Sequence, residues 1–225
     1  MIASLLAATL LAAAPVGPLS VVKSGNADVQ KAANAPGATV DSLATVVEKF
    51  VDFGELAKRA LGDKTWATLT PAQQKEFTDT MTGLLRASYA QKAIGQAQAQ
   101  VKYGKEAVQG NEATVNTTLS LKKDQIPVDY RLYRTSAKGE WRIYDVVTDE
   151  VSLVDTYKGQ FRKLLGDKGF DGLLSTLKSK RAQLEKENAA SSAKGGASAP
   201  AQGAAPAPAQ GAGGGNGAAA TGKGG

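Results

Sequence analysis

The chain has 225 residues, with 27 Lys and Arg against 21 Asp and Glu for a net charge of +6, and it contains neither cysteine nor histidine. The two missing types exclude disulfides, thiol nucleophiles, imidazole bases and the usual ligands of zinc, copper and iron. Basic and acidic residues alternate, as at Lys75, Glu76 and Asp79, which is the pattern of a solvated face rather than of a nucleic-acid footprint.

Both ends are compositionally unlike the middle. Ile2 to Ala14 is apolar and Ala-rich, too short to span a bilayer, and runs into Pro15-Val16-Gly17-Pro18, which reads as a secretory signal peptide. Cleavage is expected after Ala14 or after Ala27. Beyond about Ala189 the chain holds only small and polar residues with two lysines, and nothing there can offset the ordering entropy. The expected division is therefore a signal peptide over 1–27, one folded domain over 28–186 and a disordered tail over 187–225. A domain of about 150 residues buries roughly 68–70% of its unfolded surface and can fold alone.

Val40, Leu43, Ala44 and Val47 recur at helical spacing and predict a first amphipathic helix. Asp52 and Glu55 resemble a capping box for a second, with Leu56, Ala57, Ala60 and Leu61 as its stripe and Gly62 as its stop. Thr70, Pro71 and Gln73 start a third, whose stripe is Phe77, Met81, Leu84, Leu85 and Tyr89. Gly83 interrupts that stripe, which predicts a close packing partner there. From about Gln98 to Thr148 the period becomes two, and turn residues divide the stretch into about four antiparallel strands. Val115, Thr117, Leu119 and Leu121 mark one apolar face, Val128, Tyr130 and Leu132 another, and Lys138-Gly139 a hairpin into Trp141–Val147. Ser152 with Asp155 caps a further helix bearing Val154, Tyr157, Phe161, Leu164 and Leu165 and closed by Gly166, and Asp171 caps a last one with Leu173, Leu174 and Leu177.

The best-placed carboxylates for chemistry are Asp145, Asp149 and Glu150, at a strand end before a helix; paired carboxylates can share acid and base roles if burial separates their pKa values. The competing reading is a charged strand end followed by acids favoured at a helix N-terminus. Ser152 is better explained as a cap than as a nucleophile, since no base stands near it in sequence. Lys158, Arg162, Lys163, Lys168, Lys178, Lys180 and Arg181 make the C-terminal helices the most basic region. They form either a solvated face or a docking surface for an acidic partner or an anionic headgroup, nucleic acid being the least favoured partner. Tyr89, Tyr130, Trp141, Tyr144, Tyr157 and Phe161 fall on elements expected to face one another across a sheet-on-helix core.

Several blocks, in order and spacing, resemble the MlaC family of periplasmic phospholipid carriers, also called toluene-tolerance auxiliary proteins. They are Val51-Asp52-Phe53, Ala60-Leu61-Gly62, Trp66, Thr70 to Gln74, Phe77 and Leu84-Leu85. Further on come Val128-Asp129-Tyr130-Arg131, Trp141 to Val147, Val151 to Val154, Tyr157, Phe161 and Gly169-Phe170-Asp171-Gly172-Leu173. Where the family tends to have glycine before the Val-Ser pair, this chain has Glu150.

The resemblance implies an α+β fold with a curved, NTF2-like antiparallel sheet of about four strands, covered by amphipathic helices that leave an apolar cavity. It implies a non-enzymatic, soluble periplasmic monomer without cofactor, metal or nucleic acid, which holds a glycerophospholipid by its acyl tails. Its partners would be an inner-membrane ABC transporter with a lipid-binding ring and an outer-membrane lipoprotein–porin complex. Motif position and face make Leu84, Tyr89, Val115, Val128, Tyr130, Trp141, Tyr144, Val147, Val151, Val154 and Phe161 the expected cavity wall. Two alternatives stay open: a small-molecule enzyme using Asp145 or Glu150, and a protein adaptor with a filled core.

Overall fold

Side-chain caps explain where most helices begin. The computed structural model describes residues 16–95, 99–121 and 124–193, with α1 (Pro18–Ala33), α2 (Val40–Val47), α3 (Phe53–Leu61), α4 (Asp63–Thr68) and α5 (Pro71–Gly95) preceding the strands. Thr39 and Ser42 close a reciprocal capping box on α2. On α5, Gln73 Oε1 accepts from Thr70 N (2.9 Å) and Thr70 Oγ1 accepts from Gln73 N (3.3 Å), as the sequence predicts. Asp52 Oδ1 accepts from Glu55 N at 2.9 Å. The other half of that box is missing, because Glu55 turns instead to Arg59 Nε at 2.7 Å. Gly62 ends α3 at φ +89°, a conformation costly for any side-chain-bearing residue.

The strands are β1 (Gln100–Gln109), β2 (Glu112–Leu121), β3 (Asp124–Tyr133), β4 (Arg142–Thr148) and β5 (Val151–Ser152), paired antiparallel in chain order as one open sheet. The expected four become five because a tight turn at Asp149-Glu150 returns two residues, Val151 and Ser152, along β4. Register slips between Tyr103 and Glu106 and again between Arg131 and Leu132. The second slip leaves Tyr144 opposite no partner, so Tyr144 and Asp145 lean to the same face.

Apolar side chains occupy both faces. On one, Leu56, Ala60, Phe77, Met81, Leu84 and Leu85 meet Tyr157, Phe161, Leu173 and Leu177 of the last helix, α6 (Leu153–Ala193). On the other, Val22 of α1 packs on Ala113, Val115, Leu132, Trp141 and Ile143.

Three expectations about helices change. α1 is a helix the sequence does not predict, and it runs through residue 27, with Val22 1% exposed and Leu19 N–H donating to Glu106 Oε2 at 2.6 Å across the sheet. Gly166 does not end its helix, which continues to a kink at Gly169 (φ +67°), and Asp171 makes no capping bond among the described residues. After the kink, α6 runs alongside α5 to Ala193, past the expected boundary at 186, with Arg181 lying across Gly83 and Asn188 Nδ2 donating to Ala87 O at 2.8 Å. Gly83 thus has the close neighbour its position predicts. The apolar run Ile2–Ala14, Tyr89's side chain and residues 194–225 lie outside the described residues.

Candidate functional site

β4 ties helices to the sheet through polar ends. Arg142 Nη2 donates to Glu48 O and Val51 O, both at 3.0 Å, on carbonyls at and beyond the end of α2. Ile143 exchanges backbone bonds with Phe50 O and Asp52 N, which lays the segment between α2 and α3 along the strand. Asp145 is fully buried. Its Oδ1 accepts from Val154 N at 3.0 Å, and its Oδ2 from Ser152 Oγ at 2.7 Å and Arg131 Nη1 at 3.1 Å. Ser152 Oγ in turn accepts from Asp155 N at 3.0 Å, so Ser152 is the cap it was expected to be.

This geometry separates the three candidate carboxylates. Asp145 has both oxygens engaged at the start of α6, while Asp149 and Glu150 stand exposed in the turn at φ +48° and +65°. Among the described residues no group of three or more Asp or Glu side chains converges as a metal-ligand set.

The expected cavity wall divides between the two faces. Leu84, Tyr144, Val154 and Phe161 join the α3–α5–α6 side, whereas Val115, Trp141 and the half-buried Tyr130 join the α1 side. Val128 and Val147 are buried outside both clusters and on opposite faces of the sheet, since Val128 pairs with Thr148 and Val147 with Asp129. Phe161 and Val115 are buried, at 1% and 0% exposure. Val151 leaves the interior altogether: inward-facing Ser152 forces its neighbour outward, and it is 54% exposed. Tyr89 lies on α5, with its side chain outside the described residues.

The α1 side carries a polar group that sequence reasoning missed. Tyr130 Oη donates to Asn26 Oδ1 at 3.2 Å, and Asn26 Nδ2 donates to Tyr103 Oη at 3.5 Å. Burial pushes the Tyr130 hydroxyl up to about 12, against the opposing bond to Asn26, yet its ring keeps partial exposure. Asn26 escaped notice because residues up to 27 were assigned to the leader; the signal that could have found it is Leu19, Val22 and Asn26 on one helical stripe behind Pro18.

On the other face Arg59 bridges strand and helix. Its guanidinium lies 3.8 Å from the Tyr144 ring centroid and 5.7 Å from that of Tyr133, and bonds Glu55 and Glu112 at 2.7 and 2.9 Å. Tyr133 Oη donates to Asp52 Oδ2 at 2.5 Å, and burial with that carboxylate raises its hydroxyl pKa.

An open antiparallel sheet with apolar side chains on both faces, covered by helices and with its buried carboxylate committed to holding one of them, defines an α+β domain. Known proteins agree with that class and narrow it. The family model described as MlaC protein matches residues 20–179, and the chain belongs to the MlaC family. The structure is also similar to that of a phospholipid-binding protein from Ralstonia solanacearum solved in complex with a phospholipid, at 26% sequence identity and a TM-score of 0.68, covering 76% of this chain and 99% of that one. Together they indicate lipid binding and transport rather than enzymatic turnover. No helix among the described residues is long and apolar enough to cross a membrane.

Proposed function

We propose that the protein is exported to the periplasm and carries a glycerophospholipid between an outer-membrane lipoprotein–porin complex and an inner-membrane ABC transporter with a lipid-binding ring. In that role it maintains outer-membrane lipid asymmetry. The observation that carries this reading is the near-complete coverage of a phospholipid-bound relative by a chain of the same family.

Physical chemistry shapes the role. Two acyl chains expose about thirty methylenes at about 0.8 kcal/mol each, roughly 24 kcal/mol, beyond the practical ceiling of about 18–21 kcal/mol on noncovalent affinity. Free lipid is therefore no usable intermediate, and the carrier exchanges lipid with partners whose interiors are equally apolar. Such exchange is nearly isoenergetic, so its direction comes from ATP hydrolysis in the transporter. On this side of the exchange, Val128 and Tyr130 of β3 are the wall residues best placed to meet an acyl chain, both lying on the sheet face toward α1.

Protein purified without added lipid is expected to release stoichiometric phospholipid on organic extraction, read by mass spectrometry. Val128→Glu, which sets a charge against the tails, is expected to lower that yield in folded protein. An empty extract together with no uptake of labelled phospholipid overturns the proposal.

A further inference from the structure

We propose that a groove between α4 and the outer side of α6 is a docking site for an acidic, leucine-bearing segment of a partner protein. The open groove measures about 330 Å³ and is lined by the buried Leu61, the half-buried Leu165 and the cations Lys64, Lys158 and Arg162. Asp63 is the one carboxylate among its lining residues, so three cations face one anion.

The cations are exposed and unpaired. Among the described residues none of the three takes part in an ion pair, whereas farther along α6 Lys178 holds Glu76 at 2.5 Å and Arg181 holds Glu185 at 2.7 Å. Lys158 and Arg162 stand one helical turn apart, where like charges destabilise a helix by a few tenths of a kcal/mol. Lys64 converges on them from a separate element. The fold gains nothing from this convergence, and an anionic ligand does.

Shape selects the class of anion. A concavity lined by three cations and two leucines fits a protruding segment that carries carboxylates beside an apolar side chain. A bilayer presents a broad plane of headgroups and cannot enter a groove of this size. Complementary charge of this kind steers association and makes it sensitive to salt. Lys64, Lys158 and Arg162 are exposed, and the inference goes beyond the lipid reading without depending on it.

The test uses the full chain and a fluorescein-labelled synthetic peptide of repeating Glu-Leu-Glu, followed by anisotropy at low salt, with a Lys-Leu-Lys peptide as control. Saturable binding of the acidic peptide alone is expected, weakened roughly tenfold or more by K158Q/R162Q and in the same direction by K64Q. The pair K31Q/K49Q, an equal change of charge on exposed lysines elsewhere, is expected to leave it unchanged. All these positions are exposed, and circular dichroism checks that each variant folds. Absence of binding, or equal affinity in wild type and K158Q/R162Q, overturns the proposal. So does sedimentation with phosphatidylglycerol vesicles that K158Q/R162Q abolishes, which would make the occupant a membrane.

Discussion

Replacing Asp145 separates a structural carboxylate from a reactive one. Its side chain is fully buried and receives three donors: Ser152 Oγ, Val154 N–H and Arg131 Nη1. Arg131 is 39% exposed, and water takes over most of its share. The other two bonds are buried and end on a charge, and each is worth about 1.5–3 kcal/mol. Asp145→Ala is therefore expected to cost about 3–5 kcal/mol, because it also strands a serine hydroxyl and a helix N–H. Asp145→Asn keeps one acceptor for Val154 N–H but turns an amide toward Arg131, and is expected to cost about 2 kcal/mol. Urea unfolding followed by the fluorescence of Trp66 and Trp141 reads both, with an unchanged slope against denaturant as the two-state check. Phospholipid bound per folded molecule should stay at the wild-type level in Asp145→Asn. A loss below about 1 kcal/mol in the alanine variant would refute the capping account, and an emptied carrier at full stability would move Asp145 into the binding site.

Glu150 sits at φ +65°, where glycine is the natural occupant, so Glu150→Gly is expected to raise stability by about 0.5–1 kcal/mol in thermal denaturation, the relieved strain exceeding the added chain entropy. Burial raises the Tyr157 hydroxyl to about 12 from 10.0 in the open chain; the unfolded state ionises first, so stability present below pH 10 is lost between about pH 10 and 12, by on the order of 2–3 kcal/mol. Tyr157→Phe should flatten that part of the pH profile, and an unaltered profile would count against the assignment. Val22→Ala is expected to cost about 1.5–3 kcal/mol, and, if the chain is exported with cleavage, mass spectrometry of the processed protein should find an N-terminus ahead of Pro18, since cleavage after Ala27 would remove the buried Val22. Glu106→Gln, which weakens the remote cap on α1, is expected to speed amide exchange over residues 18–26 and leave α6 unchanged.

Readability from sequence followed the range of the interactions. Thr70-Pro71-Gln73 and Ser152-Asp155 are local, three residues apart, and their helices begin where they predict. Alternation on β2 and β3 put Val115 and Thr117 opposite Tyr130 and Val128 on one face. The start of α1 was hidden because no side chain of its own caps it; the cap is Glu106, far along the chain. The kink at Gly169 rather than Gly166 depends on φ, which a residue type alone does not fix. Which face each wall residue serves was equally out of reach, because the extra residue at Tyr144 shifts the alternation of β4 by one for the residues that follow, so that Asp145 and Val147 share the face of Tyr144, opposite Trp141 and Ile143.

The same remote contacts explain why the block from Trp141 to Val147 can mark a family without containing a reactive group. Arg142 holds the end of α2, Ile143 the segment that follows it, and Asp145 the start of α6, so one strand positions helices on both sides of the sheet. Glu106 does the same for α1, and Asn188 joins the end of α6 to α5. Apolar contacts alone would hold helices to a sheet without direction, and admitting acyl chains requires some of those contacts to be exchanged for lipid. Directional polar bonds at helix ends do not depend on those apolar contacts, because they join a strand side chain to a helix backbone. A lipid-binding domain built this way could trade side-chain contacts for methylenes while its helices stay tethered, which accounts for the anchoring side chains Arg142 and Asp145 within that block.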